Sequence, residues 1–407
     1  MAGVLYLLLF IAPQILVFLY LRERLPDPRR PGHARRVRIA LATLFVLANL
    51  PWFAVADRVL GGRFWGIGRI PYIAPFVAWQ LLGWVFCFLV AVYAGGRAVG
   101  RTGAWLRRAL GKPPVSPSAR PSTDIVSRRQ FLARGVYTYF AAGAAFSGYG
   151  IWSARRTPAV TRLTLSFPDL PRGLDGLTLL HLSDVHAGIH MEEEDMREIV
   201  RQANGLGADV IVQTGDMIDI SPAYVAPYVR AFRDLTAPLG VVTVLGNHDR
   251  YTGEDRVIDG VRDAGQVFVR NGVHVLERGG ATLALLGIDD PHAWRTDDPQ
   301  EADVRAALRA TPGDAFKLLL AHRPGAFDSA APLGVPLTLA GHIHGGQFYI
   351  PGLRWSAGRL ITKYVMGHYR QGASQLYVSR GIGVVGVPIR VFAPPEIALL
   401  TLRRTSL

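Results

Sequence analysis

The sequence predicts a layered α/β sandwich preceded by an α-helical transmembrane region. Three observations predict it. Four long apolar runs occupy the first 152 residues, separated by basic loops. From about Leu163, short apolar strand patterns alternate with helical spacing. Clusters of Asp, Asn and His then fall at the ends of those strands.

The 407 residues leave room for two or three domains, and half of them are hydrophobic. The net charge of +14 is unevenly placed. Residues 1–159 carry 21 Lys and Arg against 4 acids, whereas residues 160–407 carry 24 against 27. The basic excess therefore lies between hydrophobic runs, where it reads as a membrane-topology signal. The near-neutral second half argues against nucleic acid as a partner. The only cysteine, Cys87, lies in an apolar run, so there is no disulfide framework and no thiolate metal site.

The apolar runs are Gly3–Leu21, Ile39–Val55, Ile70–Gly95 and Gly135–Trp152, each near the ~20 residues that span a bilayer core. They lack a polar face, and Trp52, Tyr72 and Trp152 lie near run ends, where interfacial aromatics are expected. Arg22–Arg38 holds seven arginines, and Arg97–Arg134 holds nine Lys or Arg with one acid. With the N-terminus outside, both heavily basic loops face the cytoplasm. Three helices then lie in residues 1–95, a basic cytoplasmic linker in 96–134 and a fourth helix in 135–152. Everything after Trp152 is carried to the extracytoplasmic side. Within the linker, Ser127-Arg128-Arg129-Gln130-Phe131-Leu132 directly precedes the fourth run and reads as a twin-arginine export signal. Export machinery that carries folded cargo is thus an expected partner.

In the second half, strands are expected at Leu177–Ser183, Asp209–Thr214, Val241–Leu245, Phe316–Leu320, Leu337–Ala340, Leu376–Ser379 and Ile397–Leu402. Helical spacing covers Glu192–Asn204, Ala223–Leu235, Glu254–Ala264 and Glu301–Ala310. Gly279-Gly280 sits between Val273–Arg278 and Thr282–Gly287, as in a hairpin.

The polar clusters follow the strands. They are Asp184-Val185-His186, Gly215-Asp216 with Asp219, Gly246-Asn247-His248-Asp249, His322, and Gly341-His342-Ile343-His344. Strand carboxyl ends are where open α/β sheets place their sites. Residues i and i+2 of an extended segment project to one side, so Asp184/His186 and His342/His344 can each grip a metal ion as a pair. Carboxylate, amide and imidazole donors suit Mn, Fe or Zn.

The stretches "HLSDVHAG", "TGDMID", "LGNHDRYTG", "LLLAHRPGAF" and "LAGHIHGGQF" resemble the calcineurin-like metallophosphoesterase superfamily. The ending "LYVSRGIGVVGVPIRVFAPPEIALLTL" is similar to its bacterial YkuE/YaeI-like branch, whose members often carry export signals or membrane anchors. The resemblance implies an α/β/β/α metallophosphoesterase sandwich over residues 160–403 and a dinuclear metal site. Asp184, His186 and His344 would hold one divalent ion, Asn247, His322 and His342 the other, and Asp216 would bridge both. A bridging hydroxide would attack phosphorus in line. His248 would stabilise the transition state or protonate the leaving oxygen, oriented by Asp219, with Asp249 the alternative.

The function so implied is a membrane-anchored phosphoesterase, a phosphodiesterase or pyrophosphatase, at the outer face of a bacterial cytoplasmic membrane. The lipid bilayer is a partner, and the substrate is a phosphate ester held on a lipid or a cell-wall polymer. Gly345–Gly372 mixes five aromatic residues with four cations and no acid, which suits a membrane interface or equally a solvated loop packed on its domain. The alternatives are an idle, metal-stabilised binding or sensor module and an intracellular nuclease of the same fold. An idle module would be expected to lack a ligand or His248, and none is missing.

Overall fold

The computed structural model describes residues 33–49, 148–291, 298–386 and 388–405, with single positions at 14, 15, 18, 19, 22, 102, 142, 145 and 146. The chain divides into two units, Met1–Tyr149 and Gly150–Leu407. The third apolar run, the linker with Arg128-Arg129, and most of the first and fourth runs lie outside the described residues.

In the first unit one helix is fully described, α1 (His33–Asn49). It begins inside the basic segment expected to be a loop. Its 17 residues cover ~26 Å, less than the ~30 Å of a bilayer core, and their first six, "HARRVR", include three arginines and a histidine. Among the described residues no helix is long and apolar enough to cross a membrane, so the expected transmembrane region finds no support in the described helices.

The second unit contains fourteen strands among the described residues. In chain order they are β1 (Ala159–Phe167), β2 (Thr178–Leu182), β3 (Val210–Thr214), β4 (Val241–Val244), β5 (Val267–Phe268), β6 (Gly272–Arg278), β7 (Ala281–Gly287), β8 (Phe316–Leu320), β9 (Leu337–Ala340), β10 (Tyr349–Ile350), β11 (Trp355–Ser356), β12 (Gly367–Gln371), β13 (Ser374–Val378) and β14 (Glu396–Arg404). One six-stranded sheet runs β1-β14-β2-β3-β4-β5, and a second runs β12-β13-β9-β8-β7-β6. Both are mixed: β2, β3 and β4 are parallel neighbours, as are β7, β8 and β9; the antiparallel pairs are β14 with β2 inside the first sheet and β12 with β13 and β6 with β7 at the edges of the second.

Among the described residues, the helices of this unit include α2 (Glu193–Gly205), α3 (Val225–Phe232), α4 (Asn247–Asp263), α5 (Glu301–Arg309) and α6 (Phe327–Ala330). Alternation along each strand decides which layer it contacts. Leu179, Val210 and Val212 face the other sheet, where Leu318, Leu320 and Leu337 meet them. Leu180, Leu182 and Ile211 face the opposite way, onto Met196 and Ile199 of α2, Phe232 of α3 and Val261 of α4. Behind the second sheet, Leu286 and Leu319 pack on Val304 and Ala307 of α5 and Ala330 of α6. The result is four layers, helix, sheet, sheet, helix, with the largest apolar faces buried on both sides of each sheet.

Two local departures from the sequence reading matter. α4 begins at Asn247, seven residues before the expected helix at Glu254. Gly253 breaks its periodicity with φ 111°, which kinks the helix. β1, β5, β10, β11 and β12 match no strand expected from the sequence. β12 carries "GHYRQ", half-exposed and without apolar alternation, and is held through main-chain pairing to β13.

Candidate metal centre

The parallel strands of both sheets end at one place. β2 leads into Asp184 and His186, β3 into Asp216, β4 into Asn247, β8 into His322, and β9 into His342 and His344. Five of these residues take left-handed backbone: Asp184 (φ 55°), His186 (51°), Asp216 (54°), His342 (73°) and His344 (53°). Asp, Asn and His tolerate that region better than most side chains, yet each instance costs about 1–3 kcal/mol. Surrounding main-chain bonds hold the turns: Asp184 N donates to Gly215 O (3.0 Å) and His186 N to Asp216 O (2.9 Å). The loops also need close approach. A Cβ at Gly246 would collide with the Asp216 carboxylate, and one at Gly341 with the side chains of Ser183 and Asp184.

Three overlapping groups of donors result among the described residues, each with all its ligand atoms within 4.8 Å of one another; one of them, His186, Asp216 and His248, shares a member with each of the other two. The first of those two is Asp184, His186 and His344, and the second is Asp216, His322 and His342. In the first, His344 Nε2 lies 3.3 Å from Asp184 Oδ1 and 3.1 Å from His186 Nε2. In the second, His322 Nε2 lies 3.2 Å from Asp216 Oδ2, 3.1 Å from His342 Nδ1 and 3.2 Å from Asn247 Oδ1. The groups adjoin, with His186 Nε2 3.5 Å from Asp216 Oδ2. Both carboxylates are buried, at 0 % and 1 % exposure. Imidazole nitrogens that meet at 3.1 Å beside buried carboxylates form the donor set of a divalent cation, with oxygen and nitrogen ligands and no thiolate. The residues present therefore fit such a cofactor.

His248 stands at the edge of this cluster, on the first turn of α4. Its main-chain N–H donates to Asp216 Oδ1 (2.8 Å), and its Nδ1 lies 2.7 Å from Asp219 O and 3.2 Å from Asp219 Oδ1. Asp219 also lies 3.5 Å from His186 Nδ1. Asp249 points elsewhere. Its two oxygens accept from Gly246 N (2.9 Å) and Ile218 N (3.0 Å), so it ties the β3 and β4 loops together at the start of α4. Of the two carboxylates considered as partners of His248, the structure places Asp219 there.

Burial alone would raise the pKa of Asp184 and Asp216, but His344 beside the first and His322 beside the second hold both below the usual carboxylate range. Burial pulls His248 down, and the Asp219 hydrogen bond with the Asp216 charge more than reverses it, to about 9. That imidazole carries a proton at neutral pH, as a general acid must. Burial lowers His344 to about 4 despite Asp184, and lowers His342 to about 3 with help from the His322 charge. Despite its burial, His322 goes the other way, raised to about 10 by the Asp216 carboxylate.

One residue at the site escaped the sequence reading. Arg390 is 0 % exposed, and its guanidinium lies 3.1 Å from His344 Nδ1. It also donates to the carbonyls of Arg380 (2.9 Å), Gly381 (3.1 Å), Gly383 (3.1 Å) and Ala393 (2.9 Å). The available signal was an arginine alone in the apolar run "GVPIRVF". A second buried cation, Arg323, follows His322 directly and makes a two-pronged pair with Asp290 at 2.7 and 3.0 Å. A hollow of about 330 Å³ opens at Asn247 between Arg250, Tyr251, Arg270 and Asp290. A larger cleft of about 490 Å³ lies away from the ligands, beside Arg155 and His190. Of the two, only the smaller is lined by one of the candidate ligands, Asn247.

The calcineurin-like phosphoesterase family model matches residues 177–346. The chain is 33% identical over 294 residues to the Bacillus subtilis (strain 168) protein named uncharacterized metallophosphoesterase YkuE, covering 69% of this chain and 99% of that one. It is 28% identical over 342 residues to a Danio rerio "transmembrane protein with metallophosphoesterase domain", across 82% of this chain and 75% of the relative. The Bos taurus protein of that name is 27% identical over 388 residues, across 91% and 83%.

Proposed function

The chain belongs to the calcineurin-like phosphoesterase family and is a metal-dependent phosphoester hydrolase, and from that premise we propose that it is a two-cation phosphodiesterase or pyrophosphatase anchored at the outer face of a cytoplasmic membrane. The observation that carries the two-cation reading is the pair of adjoining donor groups, Asp184/His186/His344 and Asp216/His322/His342. Mn, Fe or Zn suits these donors. When bound, such cations neutralise phosphoryl oxygens and supply an activated water.

The protein's own residues do the rest. Asp216 lies against His322 of one group and His186 of the other, which suits a bridging ligand. Asn247 completes the second group through its Oδ1. Asp219 holds Nδ1 of His248, which leaves Nε2 to give a proton to the departing oxygen. No serine or cysteine nucleophile is required.

Membrane attachment rests on the four apolar runs, the basic loops between them and the names of the Danio rerio and Bos taurus relatives. The described part of α1 adds one point: Ile39 and Val46, seven residues apart and hence on one helix face, are both 56 % exposed. Export of the second unit through Arg128-Arg129 would let it fold and take up metal inside the cell. The substrate would then be a phosphate ester on a lipid or wall polymer. The test is turnover by the purified full chain, supplied in turn with Mn, Fe and Zn, on phosphomonoesters, phosphodiesters and lipid-linked pyrophosphates. Cleavage of monoesters alone would overturn the proposed substrate class.

A further inference from the structure

The turn that carries His344 runs directly into a segment that exposes large apolar side chains. In Tyr349–Lys363 the exposed fractions are 74 % for Leu353, 77 % for Leu360 and 59 % for Ile361, with Ile350 and Trp355 at 36 %. Arg354 and Arg359 are exposed between them, and the segment contains no acid. Such side chains in water are costly, because each leaves apolar area unburied. The segment is nevertheless firmly held. β10 pairs with β11, Ser356 Oγ donates to Gly345 O (2.7 Å), and Ala357 N donates to Phe348 O (3.1 Å). Its backbone is fixed to the ligand turn while Leu353, Leu360 and Ile361 stay exposed.

The same surface continues to the start of the second unit. Tyr349 N donates to Val391 O (2.9 Å), and Arg390 N donates to Gly150 O (3.0 Å). Phe392 is 52 % exposed beside Val391, and Trp152 is 57 % exposed with the Arg156 guanidinium 4.7 Å from its ring centroid. Gly150–Trp152 is where the fourth apolar run ends. The exposed apolar and basic side chains therefore gather where the chain leaves its expected anchor.

We propose that Tyr349–Lys363 is a docking surface for an anionic lipid bilayer, which seats the metal centre on the membrane within reach of a lipid-held phosphate ester. This rests on the membrane reading above. Leucine and isoleucine enter the acyl boundary, Trp355 occupies the interface, and Arg354 and Arg359 meet lipid phosphates. Charge complementarity selects anionic lipid over a neutral surface. Removing one cation from such a contact weakens it by about fivefold.

The test uses the full chain with Cys87→Ser and Leu360→Cys carrying an environment-sensitive fluorophore, reconstituted into phosphatidylcholine vesicles with or without phosphatidylglycerol. A control chain carries the label at Asp314→Cys, before β8 and so at the sheet end away from the ligands. The label at 360 is expected to shift to the blue and be quenched by nitroxide-bearing lipid, more strongly with phosphatidylglycerol, while the label at 314 stays in water. Arg354→Gln with Arg359→Gln should lower the quenched fraction on anionic vesicles. A label at 360 that stays in water, in a chain that resists carbonate extraction, overturns docking and leaves anchoring intact. A blue shift without nitroxide quenching overturns it in favour of contact with protein, such as a second copy. Lipid contact in a chain that carbonate does extract upholds docking and removes the anchor.

Discussion

Asp216 has imidazoles on two sides, His322 at 3.2 Å and His186 at 3.5 Å. Asp216→Ala should therefore remove both bound ions and all measurable turnover, as read by elemental analysis and product release. Retention of both ions would show that no carboxylate is shared. His248 has a different dependence. His248→Ala should lower kcat by roughly 10²–10⁴-fold while most of the metal stays bound, because its ring hydrogen-bonds Asp219 and the groups Asp184/His186/His344 and Asp216/His322/His342 are complete without it. Full activity would remove the acid role. Arg390 acts through His344. Arg390→Lys replaces a planar fork with a point charge that cannot span the four carbonyls that brace the loops behind His344. A loss of about 10–100-fold in metal affinity is expected in chelator competition. Unchanged affinity would make Arg390 a loop tie only.

At the scale of elements, most strands are legible in the sequence because apolar runs such as "LTLLHL" and "VIVQT" have one dominant conformation when both faces are covered. The ligand clusters are legible for a related reason: parallel strands end together, so residues just past them meet. Arg390 is not legible in this way, since most of its partners are main-chain carbonyls and carbonyls leave no residue signature. β12 is hidden because an edge strand needs no apolar face. The start of α4 is hidden by Gly253, which interrupts the periodicity between a tight ligand turn and the longer helix. That turn yields a prediction of its own. Gly246→Ala places a methyl against the Asp216 carboxylate, so metal affinity should fall more than thermal stability does. Calorimetry with and without added Mn separates the two, and an equal fall in both would show a purely structural glycine.

At the scale of the whole molecule, charge divides the chain into a basic, apolar front and a near-neutral catalytic unit. If Arg128-Arg129 is an export signal, changing both to Lys keeps the charge but loses guanidinium recognition, so the second unit should become protected from protease in spheroplasts. Normal exposure would reduce the pair to topology charges. The outcomes for the site residues depend on the claim that two cations bind at the shared strand ends and carry the hydrolysis. The most direct measurement is titration of the chelator-stripped full chain with Mn, following bound metal and turnover of a phosphodiester together. Two equivalents should bind, with turnover rising as the second enters. Saturation at one equivalent, or turnover that ignores metal, would contradict it.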